Sequence, residues 1–314
     1  MLQIIWDTRG YFFWLLIVSA VCLILERLWP WRKQQKMVRR QFGQDLIWLF
    51  LNGHFAGILM AHVAAFLFAW AVPAMEQAKS LNVLGAAPLW LQCIAFFLLK
   101  DLLEWAIHIL LHRVPWLWAF HKVHHSIEEL DWIGNFRFHW MEIVVYGGIS
   151  YFPLVVLGVN EVVILIVAVV ATMIGHLNHS NLNISWGPLR YLINSPRMHV
   201  WHHDHDWPAA RPWGVNFAVC LSAWDWLFGT AYWPGPAKSP TQQPKRLGFH
   251  GMDRFPRSFV GRLFYPLTKL AWLPMGLEAS DEANGEERPM GSQASLVKRL
   301  DDKSHMGKTP HKRR

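Results

Sequence analysis

Apolar residues fall along this chain in long runs rather than at strictly alternating positions. The first extends from Tyr11 to Leu28, closes at Trp29, Pro30 and Trp31, and is followed by Arg32, Lys33, Lys36, Arg39 and Arg40. A cleaved leader would carry its positive charge before the apolar core, so this run predicts a retained first membrane span. Lys and Arg prefer the cytoplasmic side, which sets the basic loop inside. A second run, Leu46 to Val72, closes at Pro73, and residues 74–88 are lightly charged, as an outer loop should be. The third run, Leu89 to Leu103, continues in helical register to His112. Ile143 to Leu157 and Val162 to Ile174 are each near the lower length limit for a span and are separated by Gly158, Val159 and Asn160. They predict a thin or re-entrant hairpin. The fold class that follows is all-α, a multi-pass helical bundle of about four spans with the last two as a short hairpin.

Parity then decides where the remaining segments lie. The chain after the third span and the chain after the hairpin emerge on the same, cytoplasmic, face, where a helical cap is expected. Residues 1–88 are expected to form an N-terminal transmembrane region and 89–235 a second domain, which the resemblance given below implies is the catalytic one. Residues 236–277 form a Pro-rich segment with an interfacial amphipathic helix over 258–276, and 278–314 a charged, disordered tail.

Composition supports the membrane assignment. The chain is 53% hydrophobic and only 17% charged, and its 20 Trp suit a residue that collects at the membrane interface. The net charge of +8 is concentrated at Arg32–Arg40 and beyond Lys298, so it is expected to face the inner leaflet. No basic groove for nucleic acid is implied. Cys22, Cys93 and Cys220 lie in apolar sequence with no pairing pattern and are expected as free thiols.

Histidine changes the picture from a membrane protein to one with a chemical site. Between residues 108 and 203 stand an H-x-x-x-H (His108, His112), an H-x-x-H-H (His121, His124, His125), an H-x-x-H (His176, His179) and a second H-x-x-H-H (His199, His202, His203). Residues three and four apart share a helix face, so each motif aims its rings at one spot. Any single one of these is more simply a packed residue. Ten in four clusters, all on the face that parity predicts, point to a nitrogen-rich pocket for two ions rather than one. Imidazole serves zinc, copper, iron and nickel alike, so the residues do not name the metal.

The stretches HILLHRVPWLWAFHKVHHS, NFRFHWMEI, HLNHSNLNISWGPLRYLINSPRMHVWHH and WGVNFAVCLSAWDWLFGT resemble the fatty acid hydroxylase superfamily, also called the sterol desaturase family, in a bacterial-type form; the resemblance covers roughly residues 95–232. It implies a membrane di-iron enzyme that uses O2 and two external electrons to hydroxylate a lipid C–H bond. By the same resemblance the metal ligands are His108, His112, His121, His124, His125, His176, His179, His199, His202 and His203, with His179 the firmer of its pair. His139 stands where relatives carry His-Pro, with Trp140 replacing the proline, and is left out of the ligand set; His205 is expected to be solvent-exposed.

Carboxylates that could orient the rings are Asp101, Glu104, Glu128, Glu142, Asp204, Asp206 and Asp225, with Glu104 favoured by its helical spacing to His108. Trp132, Phe136 and Phe138 could line a lipid entry. No cytochrome b5, flavin or ferredoxin segment is recognisable, so a separate ferredoxin- or cytochrome b5-like donor is expected as partner. The localisation implied is the bacterial inner membrane. The alternative on the same framework is a lipid or sterol desaturase. A bis-His haem protein would use isolated pairs within spans, and a zinc hydrolase of the H-E-x-x-H type lacks its motif here.

Overall fold

The computed structural model describes residues 7–55, 82–151, 157–234 and 242–268, with isolated positions between 57 and 77. Most of the expected second span beyond residue 55, residues 152–156 of the hairpin, residues 235–241, and everything after 268, including the rest of the interfacial segment and the expected tail, lie outside the described residues. Among the described residues all regular elements are helical, and extended backbone pairs only as two isolated bridges, Pro30 with Leu182 and Asp204 with Leu247.

Helix α1 (Tyr11–Leu28) buries Leu15, Val18, Ser19 and Cys22 on one face and exposes Ile17, Val21, Ile24 and Leu28 on the other. An apolar outer face on an 18-residue helix suits a lipid environment rather than water. Helix α2 (Phe42–Phe50) runs into a π-helical turn, Leu51–Phe55. Helix α3 (Leu89–Arg113) is 25 residues long, enough to cross, but it carries Lys100, Asp101 and Glu104 buried on its inner side. Helix α4 (Pro115–His125) begins at once, because Val114 is held extended ahead of Pro115 and the proline sits at the first helical position. A 3-10 turn, Trp132–Phe136, leads to α5 (Trp140–Tyr146), whose N-terminus is closed by a capping box of His139 and Glu142. Helix α6 (Glu161–His179) starts at Asn160, whose side chain accepts from Val162 N. Helix α7 (Pro196–His202) starts the same way at Ser195, and α8 (Ala223–Leu227) and α9 (Phe259–Phe264) are short.

Among the described residues two helices, α1 and α6, are long and apolar enough to cross a membrane, each with mean hydropathy 2.0. They pack together: Leu15, Val18 and Cys22 meet Trp132, Ile133 and Phe136, with Val169 and Leu177 of α6 against the same cluster. Trp132 and Phe136 are therefore core residues under α1. On the other side of α6, Val163 and Val167 pack on Phe96 of α3.

The two ends of this bundle differ. At one end the loop at 82–88 meets the hairpin turn, through Leu84 N to Leu157 O (3.0 Å) and Asn160 N to Gln92 Oε1 (3.0 Å). At the other end α4, α7 and the basic loop gather. Trp31 N donates to Asn181 O, Arg32 reaches Leu130 O, and Arg39 forms a bidentate pair with Asp131 at 2.7 and 2.6 Å. Arg39 is only 4% exposed and also meets Asp45 at 2.5 Å. The expectation that the whole basic run faces headgroups fails at this residue, because a buried guanidinium between two carboxylates is held by them rather than by lipid.

Candidate metal centre

Nine of the ten expected histidines come together, all buried, in two groups. His108, His112, His121, His125 and His202 form one; His124, His179, His199 and His203 form the other. Within each group the candidate donor nitrogens all lie within 4.8 Å of one another.

The H-x-x-H-H spacing explains how a motif splits between the groups. At about 100° per residue, ring i+4 lies roughly 40° from ring i on the helix wheel, while ring i+3 lies roughly 60° to the other side. On α4 the i, i+4 pair His121 and His125 joins the first group and His124 crosses to the second. At the end of α7 the roles reverse: His199 and His203 join the second group and His202 crosses to the first. The expectation that each motif would aim at one spot is thus replaced by an interlock of two motifs across two spots.

The rings are oriented from behind. Nδ1 of His108 lies 2.7 Å from Phe217 O, that of His124 3.0 Å from Arg137 O, that of His179 2.8 Å from Gly175 O and that of His202 2.8 Å from Val215 O. Nδ1 of His121 lies 2.8 Å from the Glu142 carboxylate. A carbonyl only accepts, so the proton of each neutral ring sits on Nδ1 and a bare Nε2 faces inward. His124 and His179 then face each other Nε2 to Nε2 at 3.2 Å, and His108 and His121 do so at 3.1 Å. Burial holds the pKa of His124 well below the usual histidine range, so a shared proton does not relieve its contact with His179 at neutral pH. Paired buried acceptors at this spacing fit a bound cation, since nitrogens at about 2.1 Å from one ion stand ~3.0–3.4 Å apart. The donor set therefore fits metal.

His176 stands outside both groups. Its Nε2 is 3.1 Å from Ser19 Oγ and its Nδ1 2.9 Å from Asn135 Nδ2, with Trp132 and Phe136 against the ring. On α6 it is three residues from His179, which turns it toward α1 instead.

Among the carboxylates, the favoured Glu104 does not reach an imidazole. It lies one turn before His108 but pairs with Lys100 Nζ at 2.6 Å, the nearer unlike charge on its own helix. Glu142 is the carboxylate that touches a ring of these two groups, while Asp206 meets His205 outside them. Asp225 acts one step further back, accepting from Phe217 N and Ala218 N at 2.9 Å each and from Thr230 Oγ1 at 2.6 Å, and burial pushes its carboxyl up to about 6. Asp101 holds the next stretch through Cys220 N and Leu221 N. Together they fix the backbone whose carbonyls orient His108 and His202. Asn216, in a left-handed turn at φ +56°, ties the same strip to Met198 O and Tyr232 O. His139 is a helix cap whose Nε2 meets Leu263 O, and His205 is buried at 6% exposure rather than solvated.

One device had no motif to announce it. Arg137, whose carbonyl orients His124, has its guanidinium fixed by Asp45 at 2.5 and 2.6 Å and by Ser126 O at 3.0 Å, with Gln41 also in contact. The chain signal was only an Arg in NFRFH and an Asp 92 residues earlier.

A nitrogen-lined site able to hold metal, set where two apolar helices of membrane-crossing length end, points to the class of metal-binding proteins with membrane-length helices. Residues 93–230 match the family model described as fatty acid hydroxylase. The chain is similar to that family over this stretch, and relatives named as hydroxylases and monooxygenases support an oxidoreductase of the hydroxylase kind. It is 29% identical over 255 residues to the ornithine lipid hydroxylase OlsE of Rhizobium tropici, a match covering 80% of this chain and 73% of the relative. Human cholesterol 25-hydroxylase is 29% identical over 138 residues, 42% of this chain and 48% of the relative, and the alkylglycerol monooxygenase of Xenopus tropicalis 22% over 222 residues, 70% and 46%. The match thus spans about half the length of the latter two. No solved structure matches the chain.

Proposed function

We propose that this protein is a di-iron, O2-dependent lipid hydroxylase of the membrane, taking its electrons from a separate donor protein of ferredoxin or cytochrome b5 type. The observation that carries the reading is the pair of buried imidazole groups whose bare Nε2 atoms face one another. When bound, two iron ions would supply the electrons that reduce O2 and the oxidant that removes hydrogen from an unactivated C–H bond. The balance is one C–H, O2, two electrons and two protons giving C–OH and water.

The chain's own residues do the rest. His108, His112, His121, His125 and His202 would hold one ion, and His124, His179, His199 and His203 the other; Glu142 and the carbonyls of Phe217, Val215, Arg137 and Gly175 fix ring orientation. Trp118, Trp207 and Phe217 pack within 5.0–5.5 Å of the His112 ring and exclude water from that flank. A lipid substrate follows from the apolar helices that lead to the site and from relatives named for an ornithine lipid, cholesterol and an alkylglycerol. About four spans, with residues 89–235 as the catalytic domain and the site at the cytoplasmic face of a bacterial inner membrane, complete the reading; the docking of the basic loop beside Asp131 supports that side.

The test is lipid mass spectrometry on membranes containing the protein, supplied with reductant under 18O2. A product gaining one labelled oxygen is expected. Loss of two hydrogens without label would assign a desaturase, and turnover that persists without O2 would overturn both.

A further inference from the structure

Just past the metal centre the chain makes a second, smaller clamp. Where it leaves α7, His205 N donates to Arg246 O and Gly248 N to His203 O, both at 3.0 Å, and Asp204 bridges Leu247 in antiparallel register. This pairing sets two distant segments side by side and brings His205, Asp206 and His250 together, one donor atom from each within 4.8 Å of the others. His205 Nδ1 lies 2.8 Å and His250 Nε2 3.7 Å from the same Asp206 oxygen, and the two rings stand 4.5 Å apart. Gly248 is built for the approach. Its φ of +130° is one that side chains rarely adopt, and a Cβ there would collide with Met252 Sδ at 2.4 Å while resting on His205 Cδ2 at 3.9 Å.

None of the three belongs to the nine rings of the buried centre. Their exposure also differs: the Asp206 side chain is 69% exposed and that of His250 31%, against 7% for His205. The cluster thus has one buried ring at its base and two donors nearer the surface.

We propose that His205, Asp206 and His250 form a third metal site, an open two-nitrogen, one-oxygen site for a single divalent ion of the nickel, copper and zinc group. Two imidazoles and one carboxylate with a side open to solvent is a donor set these ions accept, water completing the coordination. Ligand atoms on one ion are at most ~4.2 Å apart, so the 2.8 and 3.7 Å from Asp206 to the two imidazoles already fit, and a triad whose donors lie within 4.8 Å of one another needs at most a small closure between the two rings. With one residue between His203 and His205, an ion here pins residues 246–250 against the end of the second imidazole group. The site depends on neither iron nor turnover.

The experiment uses the full chain in detergent with its buried centre already loaded with iron, titrated with Cu2+ and followed by electron paramagnetic resonance. One Cu2+ per chain with a two-nitrogen hyperfine pattern is expected. Asp206→Asn and His250→Gln should each weaken that Cu2+ binding more than 10-fold, beyond the smaller end of what outer-layer changes cost a metal site, and leave the iron content unchanged. Because Asp206 is exposed, its variant folds whatever becomes of the other. Cu2+ affinity and hyperfine pattern unchanged in both variants would overturn the site.

Discussion

In the five-ring group one brace is a carboxylate, Glu142 on His121, and two more are carbonyls of the 215–217 strip that Asp225 and Asn216 hold in place. The four-ring group is braced by carbonyls alone, one from the preceding turn of α6 and one from Arg137. Both use the same helix arithmetic: two i, i+4 pairs plus the crossing His202 in the first, one i, i+4 pair plus the crossing His124 and His179 in the second. They differ in donor number and in the basicity of what stands behind them. A carboxylate behind an imidazole strengthens its donor, so the first group should hold its ion more tightly. Four donors rather than five would leave an ion in the second group more open positions, where a small co-substrate would have room.

The crossing rings are where this comparison can be broken most sharply. His124→Ala and His202→Ala each remove the single donor that one helix lends to the other's group, and each should cut lipid turnover by more than the roughly 10–100-fold that outer-layer changes cost. Iron analysis and product assay on the same preparations check it; normal turnover in either variant would contradict the interlock.

Next in size is Asp45→Ala, which leaves Arg39 and Arg137 buried without their shared carboxylate. Breaking such a buried network costs about 3–5 kcal/mol, so a lowered unfolding temperature is expected together with weakened metal binding in the four-ring group, since Arg137 O orients His124. Glu142→Gln is milder and separates the groups: iron affinity should fall by about 10-fold or more at the five-ring group only, read as a shift in one of two binding steps. Gln can still serve the His139 cap, so the helix should stay. The smallest effect belongs to His176→Asn. It removes contacts with Ser19 and Asn135, about 1–2 kcal/mol of stability, and should leave iron content and turnover near wild type.

Much of this was legible in the chain itself. Long apolar runs announced α1 and α6, and the repeated His spacings announced the centre, because period and residue type are local properties. What each His does was less legible. His176 and His179 are equivalent in a motif, and only the packing of α1 through Ser19 turns one away. The same holds for the braces. Glu104 had the helical spacing to reach His108, but Lys100 lies on the same helix and is the stronger partner. Glu142 reaches His121 from another element, and Arg137 is positioned by Asp45, 92 residues away. Such contacts are set by tertiary approach and leave no periodic trace. The basic run after α1 misled for the same reason, since its charge alone did not show that Arg39 turns inward to Asp131.

The most direct test of two facing imidazole groups is diffraction from the iron-loaded full chain at the iron absorption edge. Two anomalous peaks are predicted, one among the Nε2 atoms of His108, His112, His121, His125 and His202, the other among those of His124, His179, His199 and His203. A single peak, or a peak at His176 in place of either, would contradict the account.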